Sequence, residues 1–240
     1  MKPLPQFRGP SLILLATVHI VLFAASLAVG AALRHGASYV TPFAPAEQLR
    51  LFFEQNPTAV RVSSFFLFGS AVPFGIFAVT TVSWLRFLRV RAAGTNIALL
   101  GGLAATIALF LSGIAGWVLS VPEVRASIPT VKAIYFLNFL CGGVFYAVGF
   151  GLLAAGVSVT SFYMRLFPRW IVALGMLIAL TGELSSLSLI AFPANFFIPI
   201  TRFGGFIWML LAAVALSRNR KVAQPEHSGF SIDRDRTTPM

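Results

Sequence analysis

The sequence predicts an all-α, polytopic membrane protein: a bundle of about six transmembrane helices with both termini on the cytoplasmic side. Three observations predict it. Of 240 residues, 58% are hydrophobic and only 10% are charged, against about 25% charged in a soluble domain. Six continuous apolar runs each reach or exceed the ~20 residues that a helix needs to cross the hydrocarbon. Basic residues gather in short clusters between those runs. With a mean hydropathy of +0.86, the surface of such a chain has to be greasy, so its solvent is lipid. The 24 Phe residues agree, because lipid tolerates exposed rings.

Residues 1–10 form a short basic arm with Lys2 and Arg8. The first apolar run covers 12–33. It is longer than the roughly 7–15 residues of a signal-peptide core, so it is read as an anchor; cleavage after Gly30 or Ala31 is the competing reading. The next runs cover 62–85, 97–121, 133–162, 170–192 and 196–216. Alternation of period two is absent, which argues against a β-barrel. Residues 35–60 form the one long connection. Within it the segment 45–57 opens on Pro45 and closes at Pro57, and Leu49, Phe52 and Phe53 share one helical face. Two readings stand for it, an amphipathic helix on the outer membrane surface and a packed loop helix. The polar tail 217–240 has no apolar periodicity and is expected to be disordered in the cytoplasm. No internal repeat is evident.

The formal charge of +11 reflects topology rather than nucleic-acid binding, because no basic face or aromatic-basic motif accompanies it. Twelve basic residues (Lys2, Arg8, Arg86, Arg89, Arg91, Arg165, Arg169 and those after Leu216) fall on one side and six on the other. Positive loops stay in the cytoplasm, so both termini belong inside, in the plasma (bacterial inner) membrane.

Lipid-embedded helices associate by close packing, and small residues four apart provide the surface. Span four offers Gly143, Ala147, Gly151 and Ala155; span three offers Ala104, Ala108, Ser112 and Gly116; span one offers Ala24, Ala28 and Ala32. Spans three and four are therefore expected at the bundle centre. Pro73 inside span two removes a helical hydrogen bond and predicts a kink.

Few residues promise chemistry. Glu183 is the one acidic residue within a run, and an ionised carboxylate there costs at least ~2.5 kcal/mol. If the chain turns near Ala194, Glu183 and Arg202 differ in depth by three residues, or about 4–5 Å, and Asn138 lies at similar depth. Glu183, Arg202 and Asn138 thus form a candidate intramembrane polar cluster. It is either a binding site for a proton, cation or lipid headgroup, or a clasp between spans five and six. His19 has no facing histidine, which excludes a di-haem b-type cytochrome, and is read as a packed or hydrogen-bonded residue. The single cysteine, Cys141, permits neither an internal disulfide nor a thiolate metal site. No metalloprotease, nucleophile-elbow or Walker motif occurs, and Ser63-Ser64 and Ser185-Ser186 have no histidine base nearby. No catalytic residue, cofactor or metal ligand is therefore assigned; the partner is the lipid bilayer.

Two stretches carry a resemblance. AEQLRLFFEQNPTAVRVSSFFLFGSAVPFGIFAVTTVSWLR (residues 46–86) and LFPRWIVALGMLIAL (residues 166–180) resemble segments of small bacterial six-span integral-membrane proteins of the domain-of-unknown-function type. The resemblance covers about 55 residues and implies a compact six-span bundle, with no activity attached. Three functions stay open: a small transporter or membrane accessory subunit, an embedded enzyme acting on a lipid or quinone, and a scaffold acting through its tail.

Overall fold

The computed structural model describes residues 9–34, 38–88 and 92–218. Lys2, Arg8, His35, Arg89, Arg91, His227 and all of the tail beyond Arg218 lie outside the described residues. Everything described is helix or connection, and six helical segments are long and apolar enough to cross a membrane. They are span one Leu12–Ala32, span two Pro57–Phe87, span three Ala93–Val118, span four Ile128–Tyr163, span five Arg169–Leu189 and span six Phe192–Arg218. Ser217 and Arg218, expected in the tail, still belong to the last helix.

Local chemistry sets the ends. The Leu14 amide donates to Ser11 Oγ at 3.4 Å, capping span one. Pro57 stands at the first position of span two, where its missing N–H costs nothing; this starts the helix five residues before the apolar run. Span four ends on Arg165 with φ 53°, and the Leu166 amide reaches back to the Ser161 carbonyl at 2.9 Å. That is a left-handed helix stop.

Consecutive spans one to five pack side by side as antiparallel neighbours, joined by short connections except between spans one and two. The Gly205–Arg218 helix of span six returns between spans one and five. Large buried rings fill the interior: Phe74 and Phe77 of span two, Tyr146 and Phe150 of span four, and Trp208 of span six. The Trp84 indole donates to the Leu216 carbonyl at 3.0 Å, fastening span two to span six.

Small residues bring spans three, four and five close. Gly151 meets Ala179 and Gly182 of span five, where an added Cβ would lie 3.2 Å from the Ala179 carbonyl. The four-apart ladder of span four thus faces span five. Span three is met by a different set, Gly149 and Gly156, which oppose Gly101, Ala98 and Gly94. One expectation changes. Ala24 and Ala28 are exposed; span one instead buries Ala16, His19, Phe23, Ser26 and Gly30, a face read with larger side chains in it.

Three spans are not continuous α-helix. Span four widens into a π turn at Cys141–Phe145. Span five tightens into a 3-10 turn at Ser185–Leu189. Span six runs as 3-10 (Phe192–Phe196), one short α turn (Phe197–Pro199), a π turn (Ile200–Gly204) and then α-helix. Pro199 has no amide to give the Asn195 carbonyl, so irregularity there has a covalent cause. Span two, by contrast, runs unbroken past Pro73.

Candidate functional site

The π turns of spans four and six line one cavity of about 340 Å³. It lies between spans one, two, three, four and six, at the end of the bundle where span one finishes and span two begins. Non-helical backbone at membrane depth survives where it is enclosed by protein or lines a wet cavity, and π turns recur at functional sites.

Arg202 enters this cavity from the π turn of span six. Its Nη2 donates to the carbonyl of Gly142, within the π turn of span four. A π turn replaces i→i+4 bonds by i→i+5 bonds and upsets the carbonyl–amide pairing beside it, so each irregularity serves the other. The guanidinium also lies over two rings, with its carbon 5.0 Å from the Phe23 centroid and 4.9 Å from that of Tyr146. Its Nε is buried and has no partner.

Asn138 lines the same cavity. Its amide donates to the Ser112 carbonyl at 2.6 Å, and Ser112 Oγ donates to the Asn138 carbonyl at 3.1 Å. This reciprocal pair joins spans three and four. Nearby, Ser63 Oγ donates to the Ser26 carbonyl at 2.6 Å, and Ser64 Oγ to the Val60 carbonyl at 2.7 Å. The Ser63, Ser64 and Ser112 hydroxyls thus spend their protons on backbone carbonyls.

Of the three residues expected to cluster, two share the cavity and one does not. Glu183 is exposed on the outer face of span five, and no hydrogen bond or ion pair links its carboxylate to Arg202. The expected pairing assumed uniform α-helix through the turn at Ala194. A 3-10 turn rises about 2.0 Å per residue with 3.0 residues per turn. The two such turns between Glu183 and Arg202 therefore change both depth and facing.

The segment 45–57 is the roof. Its helix, Ala46–Gln55, buries Leu49, Phe52 and Phe53 against Leu119, Val131 and Tyr135. It packs as a cap on this end of the bundle. The Tyr135 hydroxyl donates to the Val40 carbonyl, and Arg125 Nη1 reaches the Phe53 and Glu54 carbonyls at 3.5 Å. On the solvent face, Arg50 bonds Glu47 at 2.5 Å and Glu54 at 2.9 Å. The Arg50 guanidinium holds the Glu47 carboxyl below the usual carboxylate range. At the mouth, Arg34 Nε donates to the Gly30 carbonyl at 3.1 Å, and its guanidinium carbon lies 5.5 Å from the Tyr39 ring centroid.

His19 is a packed, hydrogen-bonded core residue outside the cavity wall. Nδ1 lies 2.9 Å from the Ser70 carbonyl. A carbonyl only accepts, so Nδ1 carries the proton. Among the described residues, no three metal-binding side chains come together.

Comparison with protein-family models, with curated proteins and with solved structures gave no match, so function has to be read from this geometry. The two π turns were not read from the sequence. The diglycines Gly142-Gly143 and Gly204-Gly205, each at a π turn, were the available signal.

Proposed function

We propose that this chain is a small transporter of the bacterial plasma membrane, with both termini in the cytoplasm and its ligand site in the outer half of the bundle. The observation that carries the reading is the cavity: a half-open space within the bundle, lined by two arginines and by interrupted spans four and six. Transporters characteristically place substrate sites where spans are discontinuous, and ligand pockets are typically about 300–1,000 Å³. The bias of basic residues supports the orientation, and the resemblance of residues 46–86 and 166–180 supports a bacterial source. An accessory subunit would need no such cavity. An enzyme would need a base or nucleophile in it, and the described titratable groups there are two arginines and two tyrosines, Tyr39 and Tyr135.

The test is accessibility. In a Cys141→Ala background, Ser63→Cys places one thiol on the cavity wall. A small membrane-impermeant thiol reagent should label it in intact cells and also in inverted vesicles, because alternating access exposes the site to each side in turn. Labelling from outside alone would make the protein a one-sided receptor or accessory subunit. No labelling from either side would refute a ligand-accessible cavity.

A further inference from the structure

The lining is unbalanced in charge. Among the described residues, Arg34 and Arg202 face the cavity and no carboxylate does. Among the described residues the ion pairs are those of Arg50 with Glu47 and Glu54, so neither cavity arginine has an acidic partner. A guanidinium offers five N–H donors; Arg202 spends one on the Gly142 carbonyl. The rings of Phe23 and Tyr146 stabilise its charge but accept no conventional hydrogen bond, and Nε remains buried and unpaired. A charge held inside a membrane protein is costly unless something compensates it, and here the described protein supplies only a carbonyl and two ring faces. The rest of the wall carries the hydroxyls and amide already described together with aromatic and aliphatic side chains, among them Phe52, Phe53, Leu67 and Phe139.

We propose that the cavity takes a compact amphiphilic oxyanion, a carboxylate or phosphate whose head forks onto Arg202 and whose aryl or short alkyl body packs among these side chains. The proposal rests on reading the cavity as a ligand site and adds the class of ligand. Planar guanidinium matches an oxyanion through two parallel bonds. Size agrees: a cavity of about 150 Å³ accommodates benzene, so 340 Å³ has room for a ring and its acidic head. Arg34 at the mouth gives the approaching anion a first cation. The same head chemistry comes from two sources, a free organic acid or the headgroup of an anionic lipid.

The experiment uses the full chain in phosphatidylcholine nanodiscs, with thermal unfolding and calorimetry against phenylacetate, its neutral isostere phenethyl alcohol and its cationic isostere phenethylamine. Sodium chloride is matched throughout. Phenylacetate should raise the unfolding temperature, and the other two should leave it within error. Arg202→Gln should weaken phenylacetate binding about 10- to 100-fold, the usual worth of a charge-assisted hydrogen bond, and Arg202→Lys should recover part of it. If Arg202→Gln does not fold, the ligand series on the unaltered protein decides, with Arg34→Gln as the second variant. Equal stabilisation by the alcohol overturns the anion class; if Ser63→Cys still labels, the cavity reading survives that result. No stabilisation by any probe also overturns it. In nanodiscs containing phosphatidylglycerol, loss of the phenylacetate effect by competition assigns the site to a lipid headgroup. Persistence of that effect assigns it to a free acid.

Discussion

Replacing Gly101 by alanine tests whether spans three and four are held by backbone contact. In an ordinary helix the exchange is favourable, by about 1 kcal/mol of propensity. Here the new Cβ would lie 2.4 Å from the Leu153 amide nitrogen and 2.5 Å from the Gly149 carbonyl oxygen. Those atoms are backbone, so no rotamer change relieves them. Span four would have to recede by about 1 Å to reach ordinary contact at 3.4 Å. A gap of 0.5–1 Å forfeits roughly a quarter to a half of each dispersion well, and dispersion is a main attraction between spans in lipid. Overpacking typically costs about 1–3 kcal/mol, enough to outweigh the propensity gain. Gly69→Ala is the control, because nothing lies within 4 Å of its added Cβ. Thermal unfolding of both variants in detergent, followed by size-exclusion recovery, should show Gly101→Ala melting below the parent and Gly69→Ala at or above it. Gly101→Ala melting at the parental temperature would refute the close approach.

Two further outcomes follow from the cap and from Glu183. Glu183→Gln should leave both the unfolding temperature and phenylacetate binding unchanged, because the side chain is exposed outside the cavity; a tenfold loss of affinity would place it in the site after all. The Glu47 carboxyl is held low by Arg50, so that contact is complete above the ordinary carboxylate range and is lost as pH falls through the lowered value. Amide exchange over residues 46–55, taken relative to Arg50→Ala at the same pH, should be slower at neutral pH. The two proteins should converge on acidification, and a constant ratio across the range would contradict the assignment.

The spans were legible because lipid asks only for length and apolarity, and residues 12–33 or 97–121 supply both without reference to the rest of the chain. Which faces meet was harder to read. The four-apart rule found Gly143, Ala147 and Gly151, and in span three Ser112 and Gly116, which meet Gly142 and Asn138, but it missed the rest of that contact, where the small residues stand seven apart: Gly142, Gly149 and Gly156 on one helix, Gly94, Gly101 and Ala108 on the other. Seven residues are close to two helical turns, so such a series also stays on one face. Span one escaped the rule for the opposite reason. Its alanines Ala24, Ala28 and Ala32 are exposed, while Gly30 packs beside Ser63 and its Cβ would come within 3.0 Å of that hydroxyl.

The polar site was half legible, and the failure has one physical source. Placing Arg202 opposite Glu183 required constant rise and phase, which Pro199 and the diglycines undo. Once span six contains a π turn, Arg202 points to the interior, where the Gly142 carbonyl of a second π turn receives it. Neither irregularity is favourable alone, since each disturbs hydrogen-bond pairing in a medium that offers no water. Together they put a donor against an acceptor and leave one cation facing a cavity that the described residues do not neutralise. Substituting Gly142 would test this mutual support, because an added Cβ would come within 2.5 Å of Ser112 Oγ, the hydroxyl that holds Asn138. The glycine that permits the π turn thus also permits the span three–four hydrogen-bond pair, which ties the shape of the backbone to the polarity of the site.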